Sequence, residues 1–122
     1  MLDSVDAALA AFQSRHPRKI DLSLGRLEGL LEALGNPHRS LPPVIHVAGT
    51  NGKGSTDAFL RAMLEAAGHS VHVYTSPHLV RFHERIRLAG TLISDEHLLE
   101  VLSTVDEAAK DATITFFEAT TA

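Results

Sequence analysis

Apolar residues along the first part of the chain recur at helical spacing: Val5, Ala8, Leu9 and Phe12 share one face, Ser4 is placed to cap it, and His16-Pro17 ends it. A second stripe, Leu27, Leu30, Leu31 and Leu34, follows the cap candidate Ser23 and stops at Gly35, whose freedom at positive φ suits a helix terminus. Residues 36–43, with three prolines, form a connector. The pattern then changes. Val44, Ile45, Val47 and Ala48 make a short apolar run of the kind a buried strand uses, and a glycine-rich stretch follows. Phe59, Leu60, Met63, Leu64 and Ala67 return to helical spacing before Gly68, and residues 70–75 read as a second, valine-rich strand. Strand, loop, helix, strand is the order of a right-handed βαβ unit. It predicts an α/β fold with a mostly parallel, P-loop NTPase-like sheet flanked by helices. Residues 84–88 alternate charged and apolar side chains like an exposed strand. Ser94 precedes a helix carrying Leu98, Leu99, Leu102, Val105 and Ala109. Thr115-x-x-Glu118 has the spacing of a capping box and predicts a last helix starting at Thr115.

Composition narrows the function classes. The 122 residues suffice for one modest domain, and 44% hydrophobic with 21% charged residues is ordinary for a globular protein in water. A net charge of -4 gives no broad basic footprint, so neither a nucleic acid nor a membrane is expected as partner, and any anion must be caught locally. The absence of cysteine excludes disulfides and thiolate zinc sites. The acidic, amphipathic start resembles neither a signal peptide nor a span, which makes cytoplasm the expected compartment. Eight histidines raise the question of zinc, but His69, His72, His78 and His83 lack the H-E-x-x-H pattern and read as structural or surface residues.

The glycine-rich stretch, Gly49-Thr50-Asn51-Gly52-Lys53-Gly54-Ser55, carries the chemistry. A phosphate needs several converging donors, which successive backbone N–H groups at a helix N-terminus provide. Glycine permits the dihedrals and the close approach, lysine neutralises charge, and a hydroxyl can bind the magnesium that accompanies a nucleoside triphosphate. The common G-x-x-x-x-G-K-S/T spacing is nevertheless not met: Val47 stands five positions before Gly52, and Gly54 separates Lys53 from Ser55.

G-T-N-G-K-G-S, followed by T-S-P-H-L-V-R-F-x-E-R-I-R, resembles the folylpolyglutamate synthase/dihydrofolate synthase family of the Mur ligase superfamily, and the likeness runs from Lys19-Ile20-Asp21-Leu22 to the end of the chain. Gly54 is that family's own version of the loop. The resemblance implies an ATP-dependent ligase that makes an acyl phosphate and joins L-glutamate to folate or dihydropteroate. ATP and magnesium are the implied cofactors, and a monomer is the implied state. Lys53 is the implied charge clamp, the backbone of residues 49–55 the ATP cradle, and Ser55 and Ser76 the magnesium-binding hydroxyls. Lys19, Ile20, Asp21 and Leu22, with Thr115, Phe116, Phe117 and Glu118, are the implied pterin-binding segments; aromatic faces stack on a flat ring and carboxylates accept its N–H groups. Without the resemblance, Phe116 or Phe117 reads equally as core and Glu118 as a capping residue. The basic stretch of Arg81, Arg85 and Arg87 reads as an attractor of carboxylates, or as a solvated strand face paired through Glu84.

By the same likeness residues 1–43 are a helical lead-in and 44–122 the start of the P-loop core of a Mur ligase central domain. Further magnesium ligands and a C-terminal, Rossmann-like, glutamate-binding domain are expected beyond this chain. Such a piece is not expected to ligate alone. Asp57 departs from the pattern, since an uncharged residue usually stands there; read as a first-turn aspartate, at ~100° per residue it faces roughly 200° away from Ser55. Two other readings compete. A peptidoglycan-building Mur ligase is disfavoured by Gly54 and S-P-H-L-V-R-F, and a nucleotide-binding module without ligase activity is supported only by the shortness of the chain.

Overall fold

Ser4 opens the first helix as its spacing predicts: its hydroxyl accepts the backbone N–H of Ala7 at 3.1 Å, and α1 runs Val5–Ser14. The computed structural model describes residues 3–15, 23–110 and 112–122. Lys19, Ile20, Asp21 and Leu22, predicted to touch a pterin, lie outside the described residues. The second helix, α2 (Gly25–Ala33), starts later than Ser23 predicts, with Leu24 as its N-cap and no side-chain bond there. Its end follows the sequence: Gly35 takes φ +84, and Asn36, at φ 55, donates its N–H to the Leu31 carbonyl at 2.7 Å. A 3₁₀ turn, Pro37–Ser40, leads away.

The chain divides into two compact units. The first combines Met1–Pro42 with Glu96–Ala122 and is helical. Its apolar core joins Ala8 and Phe12 of α1 and Leu30 of α2. To these it adds Leu98, Leu102, Val105 and Ala109 of α4 (Asp95–Ala109), Ile114, and Ala119 of α5 (Phe116–Thr121). Polar ties close it. Arg15 pairs with Asp106 at 2.8 Å, the Ile114 N–H donates to the Arg15 carbonyl, and Arg26 Nε meets Glu118 Oε1 at 3.0 Å.

The second unit, Pro43–Asp95, holds the glycine loop, α3 (Lys53–Ala66) and three short strands. These are β1 (Val73–Tyr74), β2 (Ile86–Leu88) and β3 (Thr91–Leu92), in the order β1-β2-β3. Both pairings are antiparallel, with Val73 opposite Arg87, Tyr74 opposite Ile86, Arg87 opposite Leu92 and Leu88 opposite Thr91. Ala89 (φ 49) and Gly90 (φ 89) turn β2 into β3, the paired positive dihedrals that a tight hairpin requires.

The mostly parallel sheet predicted from the sequence is therefore not found among the described residues. Residues 44–48 form no strand, and Val44 and Ile45 are 70% and 59% exposed. A strand exists only through its ladder partners, and an apolar run without a neighbour to receive its N–H and C=O groups stays irregular. The predicted strand at 70–75 shrinks to Val73–Tyr74 for the same reason, because only β2 pairs with it. The helix after the loop forms where the pattern puts it, yet none of its residues is buried, and Phe59 and Met63 stand exposed. Among the described residues no helix is long and apolar enough to cross a membrane.

Candidate functional site

Two glycines give the loop its path. Gly49 takes φ +150 and Gly52 φ +73, dihedrals that L side chains rarely adopt, so a substitution at either strains the backbone. Gly52 is also the N-cap of α3, and having no side chain it offers no capping bond to the first turn. The helix closes its ladder when the Thr56 N–H reaches the Gly52 carbonyl at 2.9 Å. The N–H groups of Lys53, Gly54 and Ser55 precede that bond and have no intrahelical acceptor. They end a 14-residue helix whose dipole favours an anion there, and residues 49–56 are all exposed.

Gly54 has a different character. It lies inside the first turn of α3 without a positive φ, and a Cβ built on it meets nothing within 4 Å. Glycine within a helix costs roughly 0.5–1 kcal/mol relative to alanine. Neither the backbone nor the packing of this chain calls for glycine at that position, whereas close approach of a ligand to the main chain would. The donor set therefore fits a phosphate group: free amides, a lysine making no ion pair among the described residues, and the Ser55 hydroxyl.

Asp57 sits in the second turn of α3, not the first as read from the sequence, because the helix begins at Lys53. It is half-buried, and the angular argument against its facing the loop stands. Asp57→Ala is expected to change ATP affinity by less than about tenfold, or ~1.4 kcal/mol, in a calorimetric titration; a larger tightening would show that its carboxylate opposes the nucleotide.

Ser76 is exposed in the same unit, just beyond β1, and is joined to Pro77 by a cis peptide bond. The segment after it is organised by a 3₁₀ turn, Phe82–Arg85. Glu84 accepts three backbone N–H groups, those of Leu79 at 2.9 Å, Val80 at 3.0 Å and Arg81 at 2.7 Å. These bonds, that from Arg81 foremost, hold its carboxyl below the usual carboxylate range. The sequence suggested instead that Glu84 pairs with arginines, and the three arginines find other partners. Arg81 reaches Asp95 at 3.3 Å, Arg87 the Gly90 carbonyl at 3.0 Å, and Arg85 Nε donates to His78 Nδ1 at 2.8 Å. The guanidinium of Arg85 also lies 5.0 Å from the centre of the buried Phe82 ring. A signal for Glu84 was present, since a glutamate three residues after Arg81 has capping-box spacing, but a loop leaves no periodicity to read.

Two histidines of this unit make structural contacts. His72 Nδ1 accepts the Ala89 N–H at 2.9 Å, and His83 is buried beside Asp95. Among the described residues no group of three or more His, Cys, Asp or Glu side chains is gathered that could hold a metal ion by itself.

Thr115, Phe116, Phe117 and Glu118 belong to the other unit. The capping box forms as predicted: Thr115 Oγ1 accepts the Glu118 N–H at 2.9 Å, and Glu118 Oε1 accepts the Thr115 N–H at 2.8 Å. The same oxygen receives Arg26, so the carboxylate proposed for ring recognition is already engaged in holding α5. Phe116 is half-buried and Phe117 is 59% exposed, which leaves Phe117 as the aromatic face of the pair open to solvent. An open polar groove of ≈ 720 Å³ in this unit is lined by residues such as Glu28, Glu32 and Arg39 and includes none of the predicted site residues.

No family model matches the chain. Similarity to individual proteins is nevertheless extensive. It is 52% identical over 73 residues to the dihydrofolate synthase/folylpolyglutamate synthase of Bacillus subtilis, covering 60% of this chain and 17% of that protein. With the Escherichia coli protein of the same description it shares 39% over 110 residues, covering 90% and 26%. The solved bifunctional enzyme of Yersinia pestis, complexed with AMPPNP and manganese, superimposes with a TM-score of 0.85 at 38% identity over 98% of this chain and 29% of that one. The chain thus spans about a quarter or less of the curated relatives cited.

Proposed function

We propose that this chain, which belongs to the folylpolyglutamate synthase/dihydrofolate synthase family, supplies the phosphate cradle of an ATP-dependent ligase adding L-glutamate to folates, to dihydropteroate, or to both. The observation that carries the reading is Gly54, a helical glycine with open space around it, which leaves room for a phosphate to approach the main chain. In the proposed reaction the γ-phosphoryl of ATP passes to the acceptor carboxylate, giving an acyl phosphate and ADP. The glutamate amine then attacks the acyl carbon, phosphate leaves, and the amine proton is released. Such chemistry asks the protein for positioning and charge stabilisation rather than a nucleophile.

Lys53 places its ammonium on the phosphates, and the amides of residues 49–55 bind their oxygens. Ser55 and Ser76 would hold the magnesium ion, which when bound would supply charge neutralisation at the phosphates. Phe117 offers a stacking face for the pterin with residues 19–22, while Glu118 fixes the helix that carries it. Residues 44–48 take their ladder partners from the longer protein, completing a mostly parallel sheet of the Mur ligase type. A cytoplasmic monomer is the form in which we expect it to act.

The test uses the natural full-length protein with ATP, magnesium, labelled glutamate and, in separate reactions, dihydropteroate, tetrahydrofolate or a UDP-muramyl acceptor. Label is expected in one or both pterin-containing acceptors. Label in the UDP-muramyl acceptor alone would make it a peptidoglycan ligase. Nucleotide binding without transfer to any acceptor would make it a binding module.

A further inference from the structure

Ser76 and Pro77 lie between two anchors that belong to one residue. On the near side the Thr75 N–H donates to the Arg85 carbonyl at 2.8 Å; on the far side Arg85 Nε donates to His78 Nδ1 at 2.8 Å. The next three amides, of Leu79, Val80 and Arg81, all end on the Glu84 carboxylate. Side-chain burial adds little to these bonds. Leu79 and Val80 are 93% and 83% exposed, so burial of their side chains contributes almost nothing, and the β1-β2 ladder stops at Tyr74 opposite Ile86. Phe82 steadies the brace from below: it is buried, lies under the Arg85 guanidinium, and meets the His78 ring edge-on at 5.8 Å and 69°.

We propose that Glu84 and Arg85 are positioning residues that hold the Ser76 loop in its cation-binding shape before the cation arrives. The proposal rests on the reading of Ser76 as a ligand to the nucleotide's divalent cation. A hydroxyl is a weak, neutral ligand, and on a solvent-exposed loop it would spend binding energy on ordering the main chain around it. Fixing the backbone on both sides of Ser76 removes that cost in advance. Charge-assisted bonds from three amides to one carboxylate are about twice as strong as neutral ones, which suits a loop without a core. The same three bonds, that from Arg81 foremost, hold the carboxyl below the usual carboxylate range.

The test compares the natural full-length protein with Glu84→Gln, Arg85→Lys and Ser76→Ala. A glutamine keeps the size of Glu84 but presents an NH₂ to donors, so it satisfies only one side of the fork. Amide hydrogen exchange at Leu79, Val80 and Arg81 is expected to quicken by about tenfold in Glu84→Gln. Mn²⁺ affinity, read from free-ion EPR with a non-hydrolysable ATP analogue present, is expected to weaken by about three- to tenfold in Glu84→Gln and in Arg85→Lys. Affinity for the metal-free analogue should stay unchanged, a split that general destabilisation would not give. Unaltered exchange at the three amides overturns the proposal. So does quickened exchange with unchanged Mn²⁺ affinity in both brace variants while Ser76→Ala weakens it. If Ser76→Ala itself leaves Mn²⁺ binding intact, the ligand role of Ser76 fails first, and the brace as a metal-positioning device fails with it. Arg85→Lys decides the matter should Glu84→Gln not fold.

Discussion

Replacing Lys53 by alanine is expected to remove glutamate transfer from the natural full-length protein, lowering kcat by about a hundred- to a thousandfold or more while the fold survives. The two halves of that expectation have separate physical grounds. Lys53 is exposed, makes no ion pair among the described residues, and is the first residue of α3, so no ion pair among those residues is lost when its ammonium goes. Alanine is at least as good a helix former, and surface changes of this type stay within roughly 0.5 kcal/mol. The transition state is another matter. In the proposed reaction charge moves onto the transferring phosphoryl group, and a cation beside three helix N-terminal amides would be worth several kcal/mol there. Steady-state rates with saturating ATP and acceptor, alongside a melting curve, provide the check; activity within tenfold of wild type would remove Lys53 from the mechanism.

The second large effect is on stability. Glu118→Ala is expected to destabilise the helical unit by about 2–4 kcal/mol, because it removes both a capping bond and a charge-assisted bond from Arg26. Side-chain exposure is 10% for Glu118 and 20% for Arg26, so water replaces little of what is lost. The pH dependence follows from the direction of the shift. Burial by itself raises the Glu118 carboxyl, but the Thr115 backbone N–H and the Arg26 guanidinium outweigh it and leave the group below its ordinary 4.5. A depressed carboxyl stabilises fully above its unfolded value and loses that contribution as pH falls through the folded one. Thermal unfolding should therefore show acid loss of stability beginning near the ordinary glutamate range, and Glu118→Gln should flatten that part of the curve. If Glu118 served only to bind the pterin, both variants would raise the acceptor KM and leave unfolding unchanged.

The contrast between Glu118 and Glu84 shows what kind of information a sequence carries. Thr115-x-x-Glu118 was legible because a capping box is local: four residues and one helix start suffice. Ser4 and Gly35 were legible for the same reason, whereas α3 starts earlier than the sequence reading put it, inside the glycine loop. That Glu118 also meets Arg26, 92 positions away, left no trace in the spacing. The grip of Glu84 on three amides had only its spacing from Arg81 as a signal, since it depends on how an aperiodic loop folds back over a 3₁₀ turn. The parallel sheet is a different case, since it does not form among the described residues. Residues 44–48 have the composition of a buried strand, but composition states a preference for partners and does not provide them.

By itself the sequence determined the helices and several of their ends, because each depends on the chemistry of adjacent residues. Only the tertiary structure decided that β1 pairs antiparallel with β2, that Glu118 is engaged by Arg26, and that Arg85 holds both sides of Ser76. Those outcomes depend on which distant groups meet when the chain closes on itself, and a hydrogen bond between distant residues is specified by both of its ends.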